Sequence, residues 1–551
     1  MASSQKHLNG ELIEIRQQAH FWRAQHARAV EREALLKERV RQLEGVVRQQ
    51  EKLIREQTAK IEALAAKTVL LQKMVFGKKS EKTKYTSCDE EGGREEDKDP
   101  KEAAGGEKRP RGQQPGTNGH GRKRRENLPT EEVFHDLPPS QRRCAICQKA
   151  YRELSKTEDS EEIELEVRLF RKVHRRKTYV PDCDCQDTPG IVTAPVPPKL
   201  IPKGMFSVGF WVNLLMEKFL FQRPLHRVRQ VLALEGLQVS QGTLTGGLKR
   251  IGELVQPLYV AILERSREAG HWHMDETRWM VFAELAGKVG HKWWLWVVVT
   301  RETCAFILDP SRSSKIPKEH LGTEAEGILS VDRYSAYKSY EALGENVRLA
   351  YCWSHVRRDF ERVEKGYKKL REWAQGWITL INDLFMLNKE RLAVRSKPSA
   401  FRKRDRTLRT TLTTMKELME SELSDPSSLH EARRKVMESL RNHWDGLTIF
   451  ADDPDIPMDN NEAERSLRNA VVGRKNYYGN GSVWSGTVTA MLFTLFQTLL
   501  KNDIDPKKFL VDYFQSCAEN GGKAPDDVNE YLPWNLSEER RAPWRHPERP
   551  P

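Results

Sequence analysis

From Leu36 onward the apolar residues of this chain recur at seven-residue spacing. Val40, Val47, Ile54, Ile61 and Val75 fall on one heptad position, and Leu36, Leu43, Leu64 and Leu71 on the other. This pattern predicts a long helix with a coiled-coil seam. Branched residues at the first position and leucine at the second favour two parallel strands, while Gln50, Gln57 and Thr68 interrupt the seam and set its register. The competing arrangement is one amphipathic helix folded onto its own chain. Persistence over several heptads with charged flanking positions favours a second copy, hence a homodimer.

Further along, the period changes twice. Between 206 and 265 it is helical: one helix opens at Arg223-Pro224-Leu225, Gly236 breaks it, and Ser240 caps another that runs through Lys249 and Arg250. Two short helices about a tight turn read as a helix-turn-helix offering Gln241, Thr243 and Lys249 to DNA, or equally as a helical hairpin packed on a core. From Gly270 the pattern turns strand-like. Strands are expected at 271–282, 293–300, 304–308, 327–331 and 348–352, a meander followed by strands alternating with helices. Residues from Asp359 to Trp444 are helix-rich and basic, and read as a helical insertion, since a structureless loop of that length is implausible in a compact domain. A turn at Gly479-Asn480-Gly481-Ser482 leads into an apolar helix, 487–500, suited to packing.

Composition adds limits. With 551 residues the chain is too long for one core, and its net charge of +13 asks for an anionic partner. No run of about eighteen apolar residues is evident and the start lacks a signal-peptide core, so a cytoplasmic protein is expected, with no membrane partner. Residues from about Thr83 to Glu126 are rich in Glu, Lys, Gly and Pro and form a charged linker that cannot bury enough surface to fold. Of eight cysteines, four are paired as Cys144-Ala145-Ile146-Cys147 and Cys183-Asp184-Cys185. Two thiolate pairs can close one tetrahedral structural zinc site, with the second pair spaced more tightly than usual. The scattered remainder fits a reducing compartment.

Candidate chemistry centres on Met458-Asp459-Asn460-Asn461-Glu462-Ala463-Glu464-Arg465-Ser466-Leu467-Arg468, followed by Gly473-Arg474-Lys475-Asn476. Asn460 or Asn461 can cap a helix start. A carboxylate set among cations and near polyanionic DNA suggests a metal ligand, because the metal reverses the repulsion; the alternative is a salt-bridged solvent face. Asp275, in His271-Trp272-His273-Met274-Asp275-Glu276-Thr277, and Asp332, after Gly327-Ile328-Leu329-Ser330-Val331, read as acids at strand ends. Then comes Tyr351-Cys352-Trp353-Ser354-His355-Val356-Arg357-Arg358, a short strand entering a basic helix.

This constellation resembles the transposases of insertion sequence family sixty-six, from the coiled coil ending in Met74-Val75-Phe76-Gly77-Lys78-Lys79-Ser80-Glu81-Lys82 to the closing Tyr531-Leu532-Pro533-Trp534-Asn535. The asparagine-glutamate-arginine motif running into Gly473-Arg474-Lys475-Asn476 is its most specific part. The sequence departs from the family pattern at Asn469, where proline is common, and at Arg333, where glycine is common after the aspartate.

The resemblance implies a multidomain protein with an α/β ribonuclease H-like catalytic domain. The expected division is a coiled coil at 1–80, a charged linker at 81–127, a zinc-binding module at 128–200 and a helical DNA-binding domain at 201–266. The catalytic domain follows at 267–358 and 451–515, with the helical insertion at 359–450 and a tail at 516–551. The resemblance also implies a DDE-type enzyme that binds the terminal inverted repeats of its element and performs strand cleavage and transfer. Asp275, Asp332 and Glu464 would hold two magnesium ions, which stabilise charge on the entering and leaving oxygens of an in-line displacement at phosphorus. The family match places the acid directly before Arg465, hence Glu464. His355 is an accessory candidate that could contact phosphate, Cys352 and His355 have the spacing of half a zinc site, and Arg357, Arg358, Arg465, Arg468, Arg474 and Lys475 are candidates for the DNA backbone. Partners would be element ends, target DNA, a second copy and small accessory proteins of the same element, in the nucleoid of a bacterium. The rival functions are an inactive end-binding regulator and a nuclease that cuts without joining.

Overall fold

The computed structural model describes residues 2–76, 168–180, 191–284, 290–344 and 346–545, with a few isolated positions between 132 and 150. Residues 1–81 with 174–550 form one compact unit and 82–173 a second. The charged linker and three of the four paired cysteines, Cys144, Cys183 and Cys185, lie outside the described residues; Cys147 is exposed.

Helix α1 (Ala2–Phe76) is one continuous element, as expected of a proline-free stretch with charge at most solvent positions. Its seam faces water. Val40, Val47, Ile54 and Ile61 are each more than half exposed. The helix also touches its own chain, against α7 below, with Glu62 Oε2 2.7 Å from His430 Nε2. A small antiparallel pair, β1 (Thr178–Tyr179) and β2 (Val192–Thr193), precedes the main body.

The main body opens with α2 (Val208–Leu215), which runs into a π-helical turn at Met216–Leu220, then α3 (Leu225–Leu234) and α4 (Gln241–Arg267). Gly236, at φ +89°, ends α3 in a conformation that costs glycine nothing. Ser240 caps α4 by accepting the Thr243 N–H at 3.0 Å. Helix α4 buries Leu244, Leu248, Ile251, Val255, Leu258 and Ile262 at helical spacing, so it is packed along its length as part of the core.

The sheet comprises β3 (His271–Val281), β4 (Lys292–Val299), β5 (Cys304–Asp309), β6 (Gly327–Val331) and β7 (Val347–Tyr351) in the order β5-β4-β3-β6-β7. The first three strands are antiparallel, and β6 and β7 join β3 in parallel. All five lie within a residue of the expected spans. Helix α5 (Lys315–Leu321) follows β5, α6 (Ser335–Glu341) makes the β6–β7 crossover, and α7 (Trp353–Gly366) leaves β7. The helix-rich segment forms α8 (Arg371–Ala393), α9 (Pro398–Glu422), α10 (Glu431–Asn442) and α11 (Trp444–Asp452). Then come α12 (Asn461–Tyr477), β8 (Gly479–Asn480), α13 (Val483–Lys501) and α14 (Pro506–Glu519). The stretch at Gly479 was expected as a turn alone, but two of its residues pair with β3 at Met280 and Val281.

Strand alternation sorts the interior into two cores, because successive side chains point to opposite faces. Trp279, Val281, Leu295, Val297 and Phe306 join α4, α12, α13 and α14 on one side. Trp272, Met274, Trp296, Val298, Leu329 and Val331 join α6, α7 and the insertion on the other. Helix α13 reaches the length and apolar character of a membrane span, against the expectation of no such run, and its burial explains this: it is a core helix. Its buried Thr494 and Thr498 accept the backbone N–H groups of Phe306 and Cys304 at 2.8 and 3.1 Å. Edge strand β5 is thus covered.

Candidate active site

Asp275 lies inside β3, opposite Val297 of β4, and not at a strand end as the sequence suggested. By alternation it shares the face of Trp279 and Val281, toward α12. Its Oδ1 accepts the N–H of Glu276 at 2.8 Å. Burial, reinforced by the charges of Glu276, Asp332 and Glu464, pushes its carboxyl up to about 8. Asp332 directly follows β6, and its Oδ1 accepts the N–H of Tyr334 at 2.9 Å, fixing the carboxylate as the chain turns into α6.

Glu464 occupies the first turn of α12. Both its oxygens lie 2.8 Å from Arg358 Nη2 on α7, and Oε1 is 3.6 Å from His355 Nε2. His355 in turn stands 3.3 Å from Arg358 Nη1. Burial and then the Arg358 charge lower the His355 pKa, against the opposite pull of Glu464 and Asp332. Among the described residues, the one trio of His, Cys, Asp or Glu with ligand atoms all within 4.8 Å is Cys352, His355 and Glu464. Glu464 is therefore the third group near the Cys352–His355 pair. Yet Cys352 is buried, its thiol pushed up to about 11 chiefly by that burial, and it accepts the Asn460 N–H at 3.3 Å. A protonated thiol beside a carboxylate already paired with a guanidinium describes a packed polar junction better than a soft-metal site.

Glu462 and Glu464 point to different faces of α12, as a 200° separation requires. Glu462 has partners of its own. It pairs with Lys501 of α13, and its Oε2 lies 3.5 Å from His273 Nε2. Glu276, beside Asp275, points into the opposite core. It is held by the Tyr337 hydroxyl at 2.6 Å and by Arg312 at 2.6 Å, and Arg312 stacks over Tyr334 and Trp294. Lys501 and Arg312 carried no local signal in the sequence.

The cations divide by exposure. Arg465, Arg468 and Lys475 line the outer side of α12. Arg474 instead donates to Thr277 Oγ1 at 2.8 Å and to the Arg278 carbonyl at 2.6 Å, clamping α12 to β3 rather than projecting outward. Arg357 is half-buried against Glu361 and Asn382. Gln241, Thr243 and Lys249 are exposed at the start of α4; the Thr243 hydroxyl is engaged with Ser240 at 2.8 Å, and Lys249 lies over Trp484.

The body so described is an α/β domain on a mixed sheet with acids gathered from β3, the end of β6 and the start of α12. The chain belongs to the transposase IS66 family, whose model matches residues 203–488, from just before α2 into α13. Two relatives from Sinorhizobium fredii (strain NBRC 101917 / NGR234) are similar to it. Uncharacterized protein y4jD is 27% identical over 427 residues, 74% of this chain and 80% of its own length. Uncharacterized protein y4qI is 27% identical over 423 residues, 74% of this chain and 75% of its own. No solved structure matches the chain.

Proposed function

We propose that this protein is a DDE-type DNA transposase that binds the terminal inverted repeats of its insertion sequence and catalyses strand cleavage and strand transfer. The observation that carries the reading is the convergence of three acids from separate segments, Asp275 inside β3, Asp332 after β6 and Glu464 in the first turn of α12, near enough that Asp332 and Glu464 add to burial and Glu276 in raising the Asp275 carboxyl. The strand order β5-β4-β3-β6-β7, three antiparallel strands continued by two parallel ones, supports a ribonuclease H-like catalytic domain interrupted by α8–α11.

The donor set fits magnesium. Carboxylates are the hard oxygen ligands that such an ion takes, and a crowded acid that resists ionisation, as Asp275 does, is one a divalent charge relieves. Asp275, Asp332 and Glu464 are the residues that would hold it; when bound, the ions supply charge stabilisation at the entering and leaving oxygens. The protein's own groups do the rest. Asp275 releases its proton and then serves as a fixed anion on a rigid strand. Asp332 is held by the Tyr334 N–H. Arg358, partly exposed beside Glu464, is suited to exchange that carboxylate for a DNA phosphate oxygen. His355 offers a ring nitrogen at the same place.

Exposed Arg465, Arg468 and Lys475 would track the backbone, contributing affinity without sequence information, while the start of α4 would read the element end. In the same proposal α1 pairs with a second copy along its exposed seam, the cysteine pairs bind one zinc, and the protein works in the cytoplasm on the nucleoid. Purified protein with magnesium and labelled element ends tests the reading: cleaved and joined products are expected. Binding without cleavage would favour an end-binding regulator, and cleavage without joining a nuclease.

A further inference from the structure

One residue outside the acidic trio is joined to three of the segments that build the site. Asn460 is 1% exposed and immediately precedes α12. Its Nδ2 donates to the Met274 carbonyl at 2.7 Å, one residue before Asp275. Its Oδ1 lies 3.0 Å from His273 Nδ1. Because the amide nitrogen is spent on Met274, Oδ1 is the acceptor and His273 carries its proton on Nδ1. The Asn460 backbone N–H donates to Cys352 Sγ, at the start of the helix that bears His355 and Arg358. Its carbonyl accepts the N–H of Glu464 itself at 3.2 Å.

The side chain does this at the expense of an ordinary role. An asparagine before a helix usually caps it by accepting an N–H from the first turn, yet here the side chain makes no capping bond. Serine or aspartate would cap as well or better but cannot replace the link. Serine is too short, and aspartate has no N–H for the Met274 carbonyl. Pairing of β3 with β6 ends at His273, so on that edge the Met274 carbonyl next to Asp275 is met by Asn460, while β4 pairs with the other edge.

We propose that Asn460 is a positioning residue that fixes Glu464 relative to Asp275 through the Met274 carbonyl and His273; this rests on the reading of those acids as the reacting site. It sets the acid-to-acid distance from a buried point, and it leaves the outer DNA-facing side of α12 untouched. Outer partners that orient ligands typically matter by 10- to 100-fold in affinity or rate, and a displacement near 1 Å costs on the order of 100-fold in rate.

The test compares the full chain with Asn460→Asp, which keeps the acceptor but loses the donor, Asn460→Ser, which can cap α12 but cannot reach β3, and Glu464→Gln. Three measurements are made on each: binding of manganese to the DNA-free protein, affinity for element-end DNA, and single-turnover cleavage at saturating DNA. Asn460→Asp and Asn460→Ser should bind DNA as the parent does, bind manganese about tenfold more weakly and cleave roughly 100-fold more slowly. In Asn460→Ser the nitrogen resonances of His273 should also lose the Nδ1–H tautomer, which Asn460→Asp, keeping the acceptor, should retain. Parental manganese affinity in both Asn460 variants, with parental cleavage, overturns the proposal. A parent that binds manganese only through groups other than Glu464, so that Glu464→Gln changes nothing, overturns instead the reading of the site on which it rests. Loss of DNA binding along with cleavage in variants that keep the parent's circular dichroism would place Asn460 in DNA binding and refute a positioning role.

Discussion

Asp275→Asn should make the metal-free protein more stable at alkaline pH while removing one acid of the proposed reaction. The carboxyl has an ordinary value of 3.8 and is pushed up to about 8, first by burial and then by Glu276, Asp332 and Glu464. The folded state therefore holds a proton that the unfolded chain has lost, so parent stability falls as pH rises from about 4 to about 8 and levels off above. At about 1.4 kcal/mol per pH unit, the ceiling on this cost at pH 8 is about 5 kcal/mol. Side-chain relaxation and water penetration reduce it to the order of 1–2 kcal/mol. Asparagine is isosteric, never charges, and can still accept the Glu276 N–H. Thermal unfolding in chelator should show the variant gaining on the parent by roughly 2–4 °C between pH 5 and pH 8. Magnesium should then stabilise the parent at pH 8 and not the variant, since a ligand stabilises only the state that binds it. A gap that stays constant with pH, or a variant less stable at pH 8, would refute the argument.

The remaining predictions address the other acids, the seam and the cysteines. Glu464→Gln should abolish magnesium-dependent cleavage and retain DNA binding. Glu462→Gln, which loses the Lys501 pair, should retain most cleavage and cost under about 1 kcal/mol in stability; the reverse pattern in a cleavage assay would move the third acid to Glu462. Replacing Val47 and Ile54 with aspartate places like charges in the α1 seam and should convert a dimer to monomer in sedimentation at micromolar concentration, and a parent that is already monomeric there defeats the assignment. Elemental analysis should find one zinc per chain, lost in Cys183→Ser, with activity falling first through weaker DNA binding; folded protein free of zinc would contradict it.

Strand boundaries were legible in the sequence because alternation is a local property. The run from Trp293 to Val299 has to put every second residue into one of two cores, and it does. The α1 heptads, the Ser240 cap, the break at Gly236 and the helical character of the long segment after Asp359 were legible for the same reason: each depends on residues within a turn or two. Asp275, Asp332 and Glu464 stood out only as acids in suggestive settings, and their family resemblance tied them together.

What the tertiary structure decided is which partner each polar group takes. Asn460 looked like a helix cap, but two acceptor and donor groups on β3, far away in sequence, outcompete the cap for its amide. Arg474 looked like a DNA contact, but Thr277 and the Arg278 carbonyl claim it. Glu462 carried no local sign of its partner, and Lys501 from α13 meets it. Hydrophobic periodicity is fixed by the geometry of one element, so the sequence by itself determines it. Hydrogen bonds and ion pairs of this kind depend on which elements the fold brings within about 3 Å, and no local pattern encodes that distance.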